Sequence, residues 1–118
     1  MRLKATVHEP MYEHNGKQYI RFVLPDEAMK SVEFIHNSKS YLLRSSSFDN
    51  PLRGSVLTVK VPFRYRRVMC TVTGLTPVQS LVKGDTVDVI IEFKGVWNVG
   101  NYCGFSWKLA FIEHLPQP

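Results

Sequence analysis

Two alternating runs joined by a Gly-Asn dipeptide dominate the C-terminal third of this chain, and they commit it to a sheet. In residues 86–93, Val87, Val89, Ile91 and Phe93 share one side of a period-2 pattern, while Asp88, Glu92 and Lys94 lie mainly on the other. Gly95 interrupts the run, as a bulge or a close backbone approach does. Gly100-Asn101 suits a type II′ turn, which needs glycine at its first central position. The return run places Phe105, Trp107, Leu109 and Phe111 on one side, with Ser106, Lys108 and Ala110 on the other. A hairpin this apolar on one face has to close over a core.

The rest of the chain supplies further strands. Residues 3–7 alternate. Asn15-Gly16, a type I′ signal, joins Tyr12-Glu13-His14 to residues 17–23. Pro25 ends that run, and Asp26 is placed to cap a short helix over residues 27–36 with Ala28, Val32 and Ile35 on one face. Residues 41–44 read as a short strand and residues 45–54 as an exposed loop. Residues 55–60 and 67–73 are strand-like, and Pro77 and Gly84-Asp85 punctuate the connection that follows. At 118 residues the chain is expected to be one domain, 1–118. Five or six strands and one helix of this size predict an all-β fold, mostly β with one short helix, as a five- or six-stranded OB-like barrel that hides its sheet edges. A small β-sandwich is the competing architecture.

Little in the sequence suggests catalysis. His8, His14, His36 and His114 are not spaced as metal ligands with one another or with Cys70 and Cys103, and are expected at the surface or at strand ends. The acidic residues are scattered singly, and no phosphate-cradling glycine loop or nucleophile motif is present. The expectation is therefore no enzyme, no catalytic residues, no metal and no cofactor. The two cysteines read as free thiols in a reducing compartment. Met1-Arg2-Leu3-Lys4 lacks the apolar core of a signal peptide, and no apolar run reaches the ~20 residues that span a bilayer. An intracellular protein with no membrane partner is expected, in the cytoplasm of a prokaryotic host or in the nucleus or cytoplasm of a eukaryotic one.

The charge is uneven. Residues 1–68 hold 12 basic and 6 acidic side chains, against 3 and 4 in residues 69–118, within a net charge of +5. A concentrated basic excess attracts polyanions, or it simply solvates one face. Its densest stretch is Lys60-Val61-Pro62-Phe63-Arg64-Tyr65-Arg66-Arg67. Cations for phosphates and flat rings for open base faces are what single-stranded nucleic acid requires. A duplex reader would favour a basic helix, and the one candidate helix carries Lys30 against two glutamates. If residues 63–66 are extended, Phe63 and Tyr65 face opposite to Arg64 and Arg66; a loop or bulge would lift that conflict. The final hairpin adds Trp97 and Tyr102 near its tip, with Lys94 and Lys108 further down. Trp107, in phase with Phe105 and Leu109, reads as core.

Lys94-Gly95-Val96-Trp97-Asn98, followed by Gly100-Asn101-Tyr102-Cys103-Gly104-Phe105-Ser106-Trp107-Lys108-Leu109, resembles the C-terminal hairpin of small OB-fold single-stranded DNA-binding proteins of phage and viral type. The resemblance covers about a quarter of the chain. It implies a sequence-tolerant single-strand binder, acting in DNA replication or recombination through a basic, aromatic-lined groove. Many such proteins end in an acidic tail that recruits replication enzymes; Gln117-Pro118 carries none, which puts tail-mediated recruitment in doubt. The expected nucleic-acid contacts are Lys60, Phe63, Arg64, Tyr65, Arg66, Arg67, Lys94, Trp97, Tyr102 and Lys108. These residues do not distinguish DNA from RNA, and they leave a homo-oligomer open. A β-domain docking another protein through exposed rings is the alternative of a different class.

Overall fold

The computed structural model describes residues 1–116; the Gln117-Pro118 end, and with it the reading of the tail, lies outside the described residues. Five strands close into a barrel: β1 (Arg2–His14), β2 (Lys17–Val23), β5 (Val56–Val61), β9 (Thr86–Val99) and β10 (Tyr102–His114). Their order around the ring is β1-β2-β5-β10-β9 and back to β1. All pairings are antiparallel except β5 with β10, which meet in parallel at Lys60 and Lys108. This is the expected mostly-β barrel with one helix, and the ring closure excludes the two-sheet sandwich.

The period-2 pattern places the core. Val87, Val89 and Ile91 of β9 face inward, against Ala5, Val7, Ile20, Phe22, Leu57, Val59 and Leu109 of the other strands. Trp107 is 2% exposed, as expected. Phe111 departs from expectation. β10 slips one residue against β9 between Leu109 and Phe111, so Ile112 takes the inward phase and Phe111 turns outward under the Arg2 guanidinium. Gly95 does mark a bulge: Ser106 opposes Gly95 while Trp107 opposes Phe93.

Helix α1 (Asp26–Lys39) runs longer than the sequence suggests and buries Ala28, Val32 and His36. Pro25 takes the N-cap position, with no side-chain capping bond; Asp26 is the first helical residue and places its carboxylate near the positive end of the helix. His36 is a correction to the surface expectation. It is 6% exposed, accepts the Trp107 Nε1–H at 2.9 Å on Nε2, and stacks on Phe105 at 4.1 Å. Burial lowers its pKa to about 4, so the ring is neutral, as that accepted bond requires.

The connection after α1 is also more ordered than a loop. Residues 41–44 form no strand; a 3₁₀ turn (Ser40–Leu42) is followed by β3 (Ser47–Asp49) and β4 (Leu52–Arg53). The run 67–73 breaks in two: β7 (Arg67–Val68) pairs with β6 (Phe63–Arg64), and β8 (Thr71–Thr73) pairs with β10. Among the described residues no helix is long and apolar enough to cross a membrane.

Candidate nucleic-acid interface

Three segments cover the second edge of β10 in turn: β3 at residues 102–104, β5 at Lys108 and β8 at residues 111–113. Between the first two, among the described residues, 105–107 have no strand partner on that edge. Here a groove of about 880 Å³ opens. The tip of the β1–β2 hairpin lines one side with Tyr12, His14, Lys17 and Tyr19. The tip of β9–β10 lines the other with Trp97 and Val99. Arg21, Thr58 and Lys60 of β2 and β5 lie between them, and Asn50, Pro51 and Arg53 complete the rim.

Turn chemistry sets the first side. Asn15 and Gly16 have φ of 52° and 77°, the left-handed values a type I′ turn demands. Such a turn fixes the register, so Tyr12 stands directly opposite Tyr19. Their rings lie 5.8 Å apart at 30°, and the Arg21 guanidinium covers Tyr12 at 5.2 Å while bonding Glu9 at 2.9 Å. Arg21 Nε is buried with no protein partner among the described residues.

Close approach sets the second side. Trp97 pairs with Gly104, and its indole lies across that glycine. A Cβ there would come within 2.7 Å of both Trp97 Cζ2 and the Asp49 carbonyl oxygen. Asn98 then ties the tip down, accepting from Arg44 N–H at 2.9 Å and donating to Leu42 O at 3.2 Å. Ser45 donates its hydroxyl to Asn101 O.

A row of direct cross-strand partners runs Tyr12, Tyr19, Lys60, Lys108, Glu92 around the barrel. The Lys60 ammonium is held below its ordinary pKa, first by partial burial and then by Lys17 and Lys108. None of these three lysines is ion-paired among the described residues. Lys94 is different: it bonds Glu92 at 3.0 Å and holds that carboxylate below its usual range.

The structure thus separates the expected contacts. Lys60 and Trp97 line the groove. Lys108 adjoins Lys60, outside the groove lining. Tyr102 is exposed at the β9–β10 tip, and Lys94 is occupied by Glu92. Phe63 to Arg67 form a separate hairpin, in which Phe63 opposes Val68 and Arg64 opposes Arg67 around a Tyr65-Arg66 turn. That turn removes the parity conflict, because Arg64 and Arg67, not Arg64 and Arg66, share a face. Phe63 is half-buried opposite Val68, which packs on the core, and is no free stacking ring. Tyr12, Lys17, Tyr19 and Arg21 were missed, although Asn15-Gly16 signalled them: a tyrosine three positions before a two-residue turn must pair with one three positions after it. No family model matches the chain, and comparison with curated proteins and with solved structures finds no match.

Proposed function

We propose that this protein binds single-stranded nucleic acid in the groove between its two hairpin tips, without strong sequence preference. The observation that carries the reading is the convergence of Tyr12, Tyr19 and Trp97 with Lys17, Arg21 and Lys60 around one opening. Rings of this kind stack on bases of any sequence, and lysines without carboxylate partners meet phosphates. In five-stranded barrels of the OB type, the face of the second and third strands and the 1–2 and 4–5 loops are where oligonucleotides bind. Here those are β2, β5 and the two hairpin tips. A role in replication or recombination follows if the strand is DNA.

A gel-shift series with single-stranded DNA, duplex DNA and RNA of equal length tests the reading. If about four cations meet phosphates, log affinity for single strands should fall against log salt with a slope of roughly −3. Equal affinity for duplex, or a slope near zero, sinks the proposal. Phe34 and Tyr41, each 75% exposed in or just after α1, favour the second reading, a docking face for another protein. Binding through those rings would be insensitive to salt.

A further inference from the structure

The β6–β7 hairpin is built against its own stability. Arg64 and Arg67 are directly opposed across it, and like charges in that position repel. Neither they nor Arg66 is ion-paired among the described residues. Tyr65 and Arg66 hold the turn at φ of 55° and 61°, a left-handed geometry that asparagine and glycine adopt with less strain. The Tyr65 ring is 85% exposed. Three unfavourable choices meet in one short hairpin. An anion on the arginines, with a flat surface against the tyrosine, would offset them.

Its position says which anion. The hairpin leaves β5 just beyond Val61, which pairs with Gln18 beside the β1–β2 tip. Lys60 lies in the groove, and Tyr65 is five residues further on, within about 17 Å along an extended chain. That is about five nucleotides at the stacked rise of one strand. Lys17 and Lys108 flank Lys60, three residues before the hairpin begins.

The geometry points to a two-part site: a single strand leaving the groove past Lys60 is held again by Arg64, Tyr65, Arg66 and Arg67. This rests on the groove reading of the function. It makes the natural ligand a strand longer than the groove alone can hold, and it makes affinity depend on length in a step.

Fluorescence anisotropy with labelled oligodeoxythymidylates of about 4 and about 16 nucleotides, the range one such barrel covers, tests it. The comparison is wild type against R64A/R66A/R67A. The triple variant should lose at least about tenfold in affinity for the long strand, and its salt slope should shrink by about 2, at roughly 0.7 per phosphate contact. Its affinity for the short strand should not change. Its melting temperature should hold or rise, since repulsion is removed. A second variant, Y65N/R66G, relaxes the turn, and should raise the melting temperature while weakening only the long strand. Unchanged long-strand affinity in both variants overturns the two-part site and leaves the groove reading standing. An equal loss on both strands also overturns it, because the arginines would then act as a general field. A wild-type protein that binds neither strand overturns both readings.

Discussion

The two hairpin tips that flank the groove are braced to different extents. The β9–β10 tip is braced from outside. Asn98 and Ser45 tie it to the segment after α1, and β3 pairs along residues 102–104. The β1–β2 tip has an outside strand on one side only, where β5 pairs with β2 as far as Gln18. β1 leaves β9 after Thr6, bonds Gly84 and Asp85 through Val7, has no further outside strand among the described residues, and is irregular on either side of Glu9. A Tyr12–Tyr19 contact and the Arg21 clamp stand in for the missing neighbours. On the proposed reading the groove is a clamp, with a fixed jaw tied by side chains as well as strands and a compliant jaw that carries two of the three rings. A compliant jaw can adjust to bases of different size, which suits sequence-tolerant binding.

Removing each tryptophan in turn should separate the two tips by the largest effect. Trp107 sits at the root of the fixed jaw, in the core, and donates to His36. Trp107→Ala should cost about 3–5 kcal/mol of stability in chemical denaturation, because a large buried ring leaves a cavity. Trp97→Ala should leave stability nearly intact and cost about 1–3 kcal/mol of single-strand binding, as lost base stacking does. Unfolding of the Trp97 variant would make the tip structural rather than a binding surface.

The glycines sharpen it further. Gly104→Ala has no room, since the Asp49 carbonyl is backbone and the Trp97 ring has nowhere to retreat except the groove. It should cost about 2–3 kcal/mol of stability, as overpacking does, and displace Trp97, visible as a shifted fluorescence maximum. Gly16→Ala meets nothing within 4 Å, so only its φ of +77° resists, and about 1 kcal/mol is expected. Equal costs at the two sites would mean that the jaws are equally rigid.

Acid should loosen the fixed jaw first. His36 is neutral in the fold, with its pKa lowered to about 4 by burial, whereas in the unfolded chain it takes up a proton near 6.5. Its contribution is therefore complete above about pH 6.5, falls as the pH drops toward about 4, and levels below that. The loss should be on the order of 3 kcal/mol, and it comes with the Trp107 bond and the Phe105 stack at the root of β10. Denaturation curves of wild type and His36→Asn between pH 7.5 and 4.5 should differ in slope over that window. Parallel curves would count against a neutral, buried His36.

The barrel was legible because periodicity and turn residues carried it. The alternation of Val87, Val89 and Ile91 and the dipeptides Asn15-Gly16 and Gly100-Asn101 speak through local geometry alone. What stayed hidden depends on contacts distant in sequence. Ser45 to Gly54 looks like a loop because β3 and β4 are short strands whose partners lie elsewhere in the chain. His36 looks like a surface residue until Trp107, 71 positions away, supplies its donor. The slip that turns Phe111 outward is a property of the pairing with β9, which no single run of residues reveals. The basic run 60–67 drew attention by density, yet only Lys60 lines the groove. The rings opposite Trp97 came from a hairpin whose charge is unremarkable.

The clamp itself is tested most directly by mapping amide and indole chemical shifts during titration with an oligodeoxythymidylate of about eight nucleotides, within the span one such barrel holds. The Trp97 indole and the amides of Tyr12, Lys17, Tyr19, Arg21 and Lys60 should shift together, with the largest changes in the compliant jaw. The Trp107 indole and the Phe34 side of α1 should stay still. Shifts confined to Phe34 and Tyr41, or no shifts at all, would contradict it.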